Sequence, residues 1–430
     1  MTTNDLPAPG TDVPQAPRPL WRQPDYRLLW SGQLVSAFGS QMSLVAFPLL
    51  ILALTGSPAA AGLLGMLQSI PLLVLSIPAG ALIDRWNRKW IMIGCDAGRA
   101  LVLGSIALAL LLDQLTVAHL LIAALLEGIL ATGFTIAQAA CLPNLVPRSQ
   151  LATAIAQTQS IDALGQLLGP MLGGLSYGIA RLVPFLLDAL SYLISAGSLV
   201  LIRAPFQAAP PEDGQAFGAA LREGLIWIWR HRLLRFLTVL TLGLMLPAFG
   251  YTLTLITLAH QMQASPGMIG IVLATGGVGS LIGTVLAGPI LQRFQLRHVI
   301  LGTIWPWVLS WLPLAIAPNL LVLGIANAIG YIVVPIYMVA VAQVRLSLVP
   351  DALQGRITGI YRLVVFGSQP VGIALTGLFL QLLGPTNTVL VLFLPQILLA
   401  LLTTLHYPRW RSIDGPAPVT APPSELPRTT

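Results

Sequence analysis

Gly80-Ala81-Leu82-Ile83-Asp84-Arg85-Trp86-Asn87-Arg88-Lys89 separates two apolar runs, one from Ala59 to Ile83 and one that starts at Trp90. Arg85, Arg88 and Lys89 crowd into five positions behind a single acid, Asp84. Charge this dense between apolar runs of membrane length marks a tight turn at a water interface, because hydrocarbon expels unpaired ions. Basic residues favour the cytoplasmic side of such turns. This turn sets the orientation of every span around it.

The composition agrees. Of 430 residues, 56% are hydrophobic and 9% charged, with a mean hydropathy of +0.82. A soluble domain carries roughly 25% charged residues, so the chain belongs in a lipid bilayer. Its net charge of +7 lies in the loops and calls for no nucleic-acid partner. Lys89 is the only lysine and follows Arg88, so no GxxxxGK[ST] phosphate loop exists. No HExxH pair or other histidine spacing fits a metal, and no cofactor is implied. Cys95 and Cys141 fall near the cytoplasmic ends of spans, which gives no disulfide framework.

Runs of about 20 apolar residues read as membrane-crossing helices, and the pattern predicts an all-α integral membrane protein with twelve. They lie near 29–54, 59–83, 90–112, 117–141, 151–178 and 184–202, then 235–260, 267–291, 298–317, 319–346, 356–383 and 388–407. Of the 22 lysines and arginines, only Arg181 falls outside, and Arg99, Arg345 and Arg362 lie in or at the edges of spans. The other eighteen are cytoplasmic if both termini are. The expected organisation is a disordered cytoplasmic tail (1–24), a six-helix bundle (25–203), a cytoplasmic linker (204–234), a second bundle (235–407) and a disordered tail (408–430). In the linker, Phe217 to Arg235 is amphipathic and reads as a helix lying on the membrane surface, or as one that binds a partner.

The two bundles repeat each other. Ser57-Pro58 opens the second span and Ser265-Pro266 the eighth, while Gly80 and Gly288 close them; the offset is 208 both times (265 − 57, 288 − 80). Leu145-Val146-Pro147 and Leu348-Val349-Pro350 form a second matching pair. Halves of six spans are the build of many secondary transporters, whose substrate site lies between the halves.

The stretch from Gly80 to Lys89 resembles the loop motif G-x-[LI]-x-D-R-x-x-R-[RK] of the major facilitator superfamily, with Asn87 where glycine is common. Gly165, Gly169, Pro170, Gly173 and Gly174 in the fifth span resemble its exporter motif. Phe47-Pro48-Leu49-Leu50, Leu142-Pro143-Asn144-Leu145-Val146-Pro147, Asp188-Ala189-Leu190-Ser191-Tyr192 and Leu221-Arg222-Glu223-Gly224 resemble the twelve-helix branch of macrolide-efflux and siderophore-export proteins. The resemblance implies a monomeric secondary transporter of a bacterial-type inner membrane. It also implies a gating role for Gly80, Asp84, Arg85, Arg88 and Lys89, whose acid would latch against the start of the eleventh span at Pro350-Asp351. Many proton-coupled members carry an arginine four residues before a glycine in the fourth span, where this chain has Ala124 before Gly128.

Other residues bear chemistry without any family. Glu127, midway through the fourth span, costs roughly 2.5–3.5 kcal/mol to insert if ionised, and it shares a helix face with Gln138. Gln159, Asp162 and Gln166 form a polar stripe in the fifth span, as do Arg362, Gln369 and Thr376 in the eleventh. These stripes read as a water-filled path with Glu127 or Asp162 as proton carrier, or as buried pairs such as Asp162 with Arg362. Asp96 and Arg99, three apart, read as a structural pair. Trp305, Trp307, Trp311, Tyr331 and Tyr337 line a pocket or belt the interface.

The function these features predict is proton-coupled export, by alternating access, of a small and partly apolar molecule such as a drug or macrolide. A siderophore or lipid exporter of the same fold is the alternative. A non-transporting sensor would need a large soluble domain. An intramembrane enzyme would need paired catalytic groups at one depth, and none appears.

Overall fold

The computed structural model describes residues 19–206 and 225–406, with the backbone alone at 76–85, 351, 352, 355 and 406. Regular structure among them is entirely helical. The first six spans are Pro24–Thr55, Pro58–Arg85, Arg88–Leu111, Val117–Leu145, Leu151–Ile179 and Val183–Leu201. The seventh is Arg232–Ala248 continued by Tyr251–Gln261, the eighth Pro266–Arg293, and the ninth Leu296–Leu309 continued by Leu312–Ile316. Leu320–Leu348 is the tenth. Asp351–Phe366 begins the eleventh, and Gln369–His406 holds its remainder and all of the twelfth.

The breaks have local causes. The ninth span breaks just before Pro313, which lacks the amide proton that would bond back to Leu309, and the seventh breaks at Gly250, a weak helix former. Between the last two spans the chain turns at Gly384, whose φ of 75° only glycine adopts freely, and Pro385 follows. Unbroken spans were expected at the first two places, whereas the turn at Gly384 falls where the eleventh span was expected to end.

The repeat is structural as well as textual. The second and eighth spans are both 28 residues long, and each starts with proline at its first turn behind a serine cap. Ser57 Oγ accepts from the Ala60 amide at 3.2 Å, and Ser265 Oγ accepts from that of Met268 at 3.4 Å. The fourth and tenth spans are both 29 residues. Alanine at either serine is expected to cost about 1 kcal/mol, read as a lowered unfolding temperature in detergent. Ser57→Ala should cost more, because Ser57 Oγ also donates to Gln381 Oε1 across the halves at 2.8 Å. Equal losses would mean that the added bond contributes nothing.

Within the first half, the first span packs on the fifth and sixth, and the third on the fourth and sixth; the eighth, ninth and tenth pack together in the second half. Between halves the main contacts are the second span with the eleventh and the fifth with the eighth. The outer surface is apolar: Leu101, Ile179, Ile316 and Leu405 are each more than two-thirds exposed. In water such a surface would aggregate; in a bilayer it is the protein–lipid boundary.

Two boundary expectations change. Residues 19–24 belong to the bundle rather than to a tail, because Leu20–Arg22 forms a 3₁₀ turn that buries Leu20 beside Tyr26 and Leu29. In the linker, residues 225–230 are helical, but Ile228 is buried against Leu234, Val349, Ile357 and Ile360 instead of lying on lipid. Residues 217–224 of the amphipathic stretch and both remaining tails lie outside the described residues.

Candidate functional site

A cavity of about 450 Å³ lies between the halves. Leu44, Pro48, Leu64 and Leu72 wall it from the first half, Phe249, Leu253 and Ile373 from the second. Its polar groups are Gln68, Ser69, Glu127, Thr132, Thr135, Thr252, Tyr331 and Gln369. A second cavity, about 240 Å³, shares Leu44, Thr252 and Tyr331 with it and adds Gln41, Gln166 and Asn327. Among the described residues the lining of the two cavities holds one acid, Glu127, and no base.

On the face where residues 55–58 join the first two spans, this space is shut backbone against backbone. A Cβ at Gly62 would lie 2.8 Å from Gly377 Cα, and one at Gly174 would lie 2.9 Å from Gly270 Cα and overlap the Pro266 carbonyl. Glycine permits that approach, as in other close helix pairs. Gly174 thus meets the other half. Gly165, Gly169 and Gly173 do not: they face Gln41 and Met42 of the first span, within their own half. Pro170 contributes its carbonyl to the contact with Gly270 and lines the smaller cavity.

Glu127 ends in the larger cavity, and its carboxylate is fully engaged. Arg99 donates Nε at 3.1 Å and Nη2 at 2.5 Å to Oε1, and Gln68 Nε2 donates to Oε2 at 2.8 Å. The Arg99 guanidinium lies 4.0 Å above the Tyr192 ring, and the Tyr192 hydroxyl bonds Ser40 Oγ at 2.7 Å. The pairing of Arg99 with Asp96 is therefore corrected. Asp96 is fully buried and neither of its oxygens accepts a hydrogen bond. The guanidinium missing at Ala124 comes instead from the third span. Asp188, also buried, accepts from Ser191 Oγ at 3.2 Å, and it interacts electrostatically with Arg99. As a chemical group it was the residue missed. Its signal lay in Asp188, Ser191 and Tyr192, which share one helix face by spacing.

The remaining candidates divide. Gln369 lines the larger cavity and Gln166 the smaller. Gln159 and Asp162 precede Gln166 by seven and four residues, so they continue its face; both are exposed, as is Arg362. Asp162 and Arg362 form no ion pair among the described residues. Gln138 is half-buried and lines neither cavity. Of the five aromatics, only Tyr331 reaches a cavity. Trp307 and Trp311 are buried with Tyr251 in the core of the second half, Tyr337 bonds Thr241 there, and Trp305 bonds Thr404. Trp307 Nε1 donates to Gln396 Oε1 at 2.9 Å, while Trp311 Nε1 and the Tyr251 hydroxyl are buried without a hydrogen-bond partner among the described residues, so this cluster is core packing, neither pocket nor belt.

In the gating loop Gly80 is described by its backbone alone, and the side chains of Asp84, Arg85 and Asp351 lie outside the described residues, as does the latch between them. Arg88 Nη1 donates to the Ala140 carbonyl at 2.8 Å, and Lys89 Nζ to those of Val200 and Ile202 at 3.0 and 2.7 Å. Lys89 thereby caps the C-terminus of the sixth span, where unpaired carbonyls carry negative charge, and Arg88 ties the loop to the fourth span.

The transmembrane secretion effector family matches residues 15–424. The chain is 26% identical over 408 residues to the multidrug efflux pump Tap of Mycolicibacterium fortuitum, covering 90% of this chain and 96% of that one. It is 25% identical over 375 residues to macrolide efflux protein A of Streptococcus pyogenes, covering 85% and 91%. Among solved structures, the nucleoside transporter NupG superposes with a TM-score of 0.71 at 14% identity, covering 90% of this chain and 99% of that one. A bacterial homologue of the human lysosomal transporter Spinster, inward-facing and unoccupied, gives 0.71 at 15% identity, covering 94% and 100%. Twelve spans in two repeated halves, a cavity between them and a match across nearly the whole length place this chain in the transmembrane secretion effector family of the major facilitator superfamily: it is a membrane transporter, not an enzyme.

Proposed function

We propose that the protein exports a small, partly apolar molecule from the cytoplasm by alternating access, driven by protons moving inward. The cavity carries this reading: apolar walls, one carboxylate, and a backbone seal on the face that the basic loops assign to the outside. The efflux pumps to which the chain is similar support the direction. Among the described residues the lining holds no basic group, which disfavours an anionic cargo such as a carboxylate siderophore. The test is efflux of ethidium and erythromycin from vesicles, with and without a pH gradient. Glu127→Gln is expected to cut gradient-driven efflux at least tenfold while leaving membrane insertion intact. Unchanged efflux in that variant would sink the reading of the cavity as the transport site.

A further inference from the structure

The charges sealed in the first half do not balance. Asp96, Glu127 and Asp188 are buried around one guanidinium, Arg99. With every acid ionised the cluster carries 1 − 3 = −2 charges, in an interior that does not hold unpaired ions. Two of the three acids must therefore be protonated while Arg99 serves the third. Glu127 is that third: its oxygens take three N–H donors, the setting of a carboxylate. It is also the only one of the three that lines a cavity.

Asp188 stands on the far side of the guanidinium. It lies one turn before Tyr192, whose ring carries Arg99, so both residues occupy the same face of the sixth span. Charged groups facing it are Arg99 from the third span and Glu127 from the fourth. The first span brings only Gly39 and Ser43; a Cβ at Gly39 would overlap Asp188 Oδ1. From the fifth span, neither Asp162 nor Tyr177 bonds to it. The hydroxyls that face its carboxyl are Ser43 Oγ and Ser191 Oγ, the latter at 3.2 Å and already committed to the Asp188 carbonyl at 2.7 Å. Asp188 thus has hydroxyls but no N–H donor, unlike Glu127, yet sits where Arg99 could supply one.

Resting on the exporter reading, we infer that Asp188 carries the exchanged proton and that Arg99 is the arm that moves between Glu127 and Asp188. The substrate class follows from charge. In the proton-loaded state Glu127 is −1, Arg99 is +1 and Asp188 is neutral. When an amphiphilic cation enters the cavity and takes Glu127, Arg99 pairs with Asp188, whose proton leaves to water. The sum is zero in both states: one cation enters for one proton lost. Asp96 stays protonated throughout.

Tetraphenylphosphonium tests this, because it is permanently charged and has no proton of its own to give. Added to full-length protein in detergent and weak buffer, it is expected to release about one proton per cation bound. Affinity is expected to rise with pH, up to tenfold per unit. Asp188→Asn should bind more weakly, release no proton and show no pH slope, while Asp96→Asn keeps both. In the wild-type protein, infrared spectroscopy should show one protonated-carboxyl band disappearing on cation binding, a readout that needs no variant. Overturning results are proton release preserved in Asp188→Asn, release abolished only in Asp96→Asn, no binding of the cation, or no loss of the band. Failure of the exporter reading looks different: proton release on binding would persist in a protein that drives no efflux in vesicles.

Discussion

Arg99→Ala is expected to give the least stable single variant of this protein that still inserts into the membrane. The substitution leaves Glu127, Asp96 and Asp188 buried with no cation among them. Breaking one partner out of a buried pair costs about 3–5 kcal/mol, mostly because the remaining charge is stranded. Loss of the guanidinium above Tyr192 removes a further interaction of about 0.5–2 kcal/mol. The measurement is the unfolding temperature in detergent together with the yield of folded protein. Adding Glu127→Gln to Arg99→Ala should recover part of the loss, since the stranded charge goes with it. Arg99→Lys should fall between, because an ammonium cannot reproduce the two-nitrogen grip on Oε1. An alanine variant as stable as wild type would show that the pair is incidental.

The sequence made the scaffold legible through signals that act locally. A serine before a proline caps a helix wherever it occurs, so the offset of 208 correctly paired two helices of equal length. Charges between apolar runs must be at an interface, so Asp84 to Lys89 marked a turn. Partners across the bundle were not legible. Asp96 is the nearest acid to Arg99 in sequence, but side chains three apart on a helix compete with those on neighbouring helices. The fourth span presents Glu127 at the right height, 28 residues away. Helical spacing likewise showed that Gly165, Gly169 and Gly173 share a face without saying which helix that face meets. Gly174 lies one residue, about 100°, further round. That rotation takes it from the first span to the eighth.

Gly377→Leu is expected to hold the protein open on the face that is now sealed. A Cβ at Gly377 would sit 2.6 Å from Gly62 Cα and 2.7 Å from the Pro58 carbonyl. Both obstacles are backbone, so no rotamer change relieves them; the second and eleventh spans must part. Overpacking of this kind costs about 1–3 kcal/mol, and each 1.4 kcal/mol is a tenfold change in population. The closed state should therefore fall roughly 5- to 150-fold relative to the open one. A cysteine at Thr252 reports on this directly, because Thr252 lines both cavities while the native Cys95 and Cys141 are buried. Impermeant maleimide applied from the face bearing Gly56 should label Thr252→Cys much faster in the Gly377→Leu background, and transport should be lost. Gly178→Leu is the control, since a side chain there meets open space. If Gly377→Leu labels no faster than that control, the glycine contact is not what closes this face, and the seal must be sought between Gly174 and Gly270.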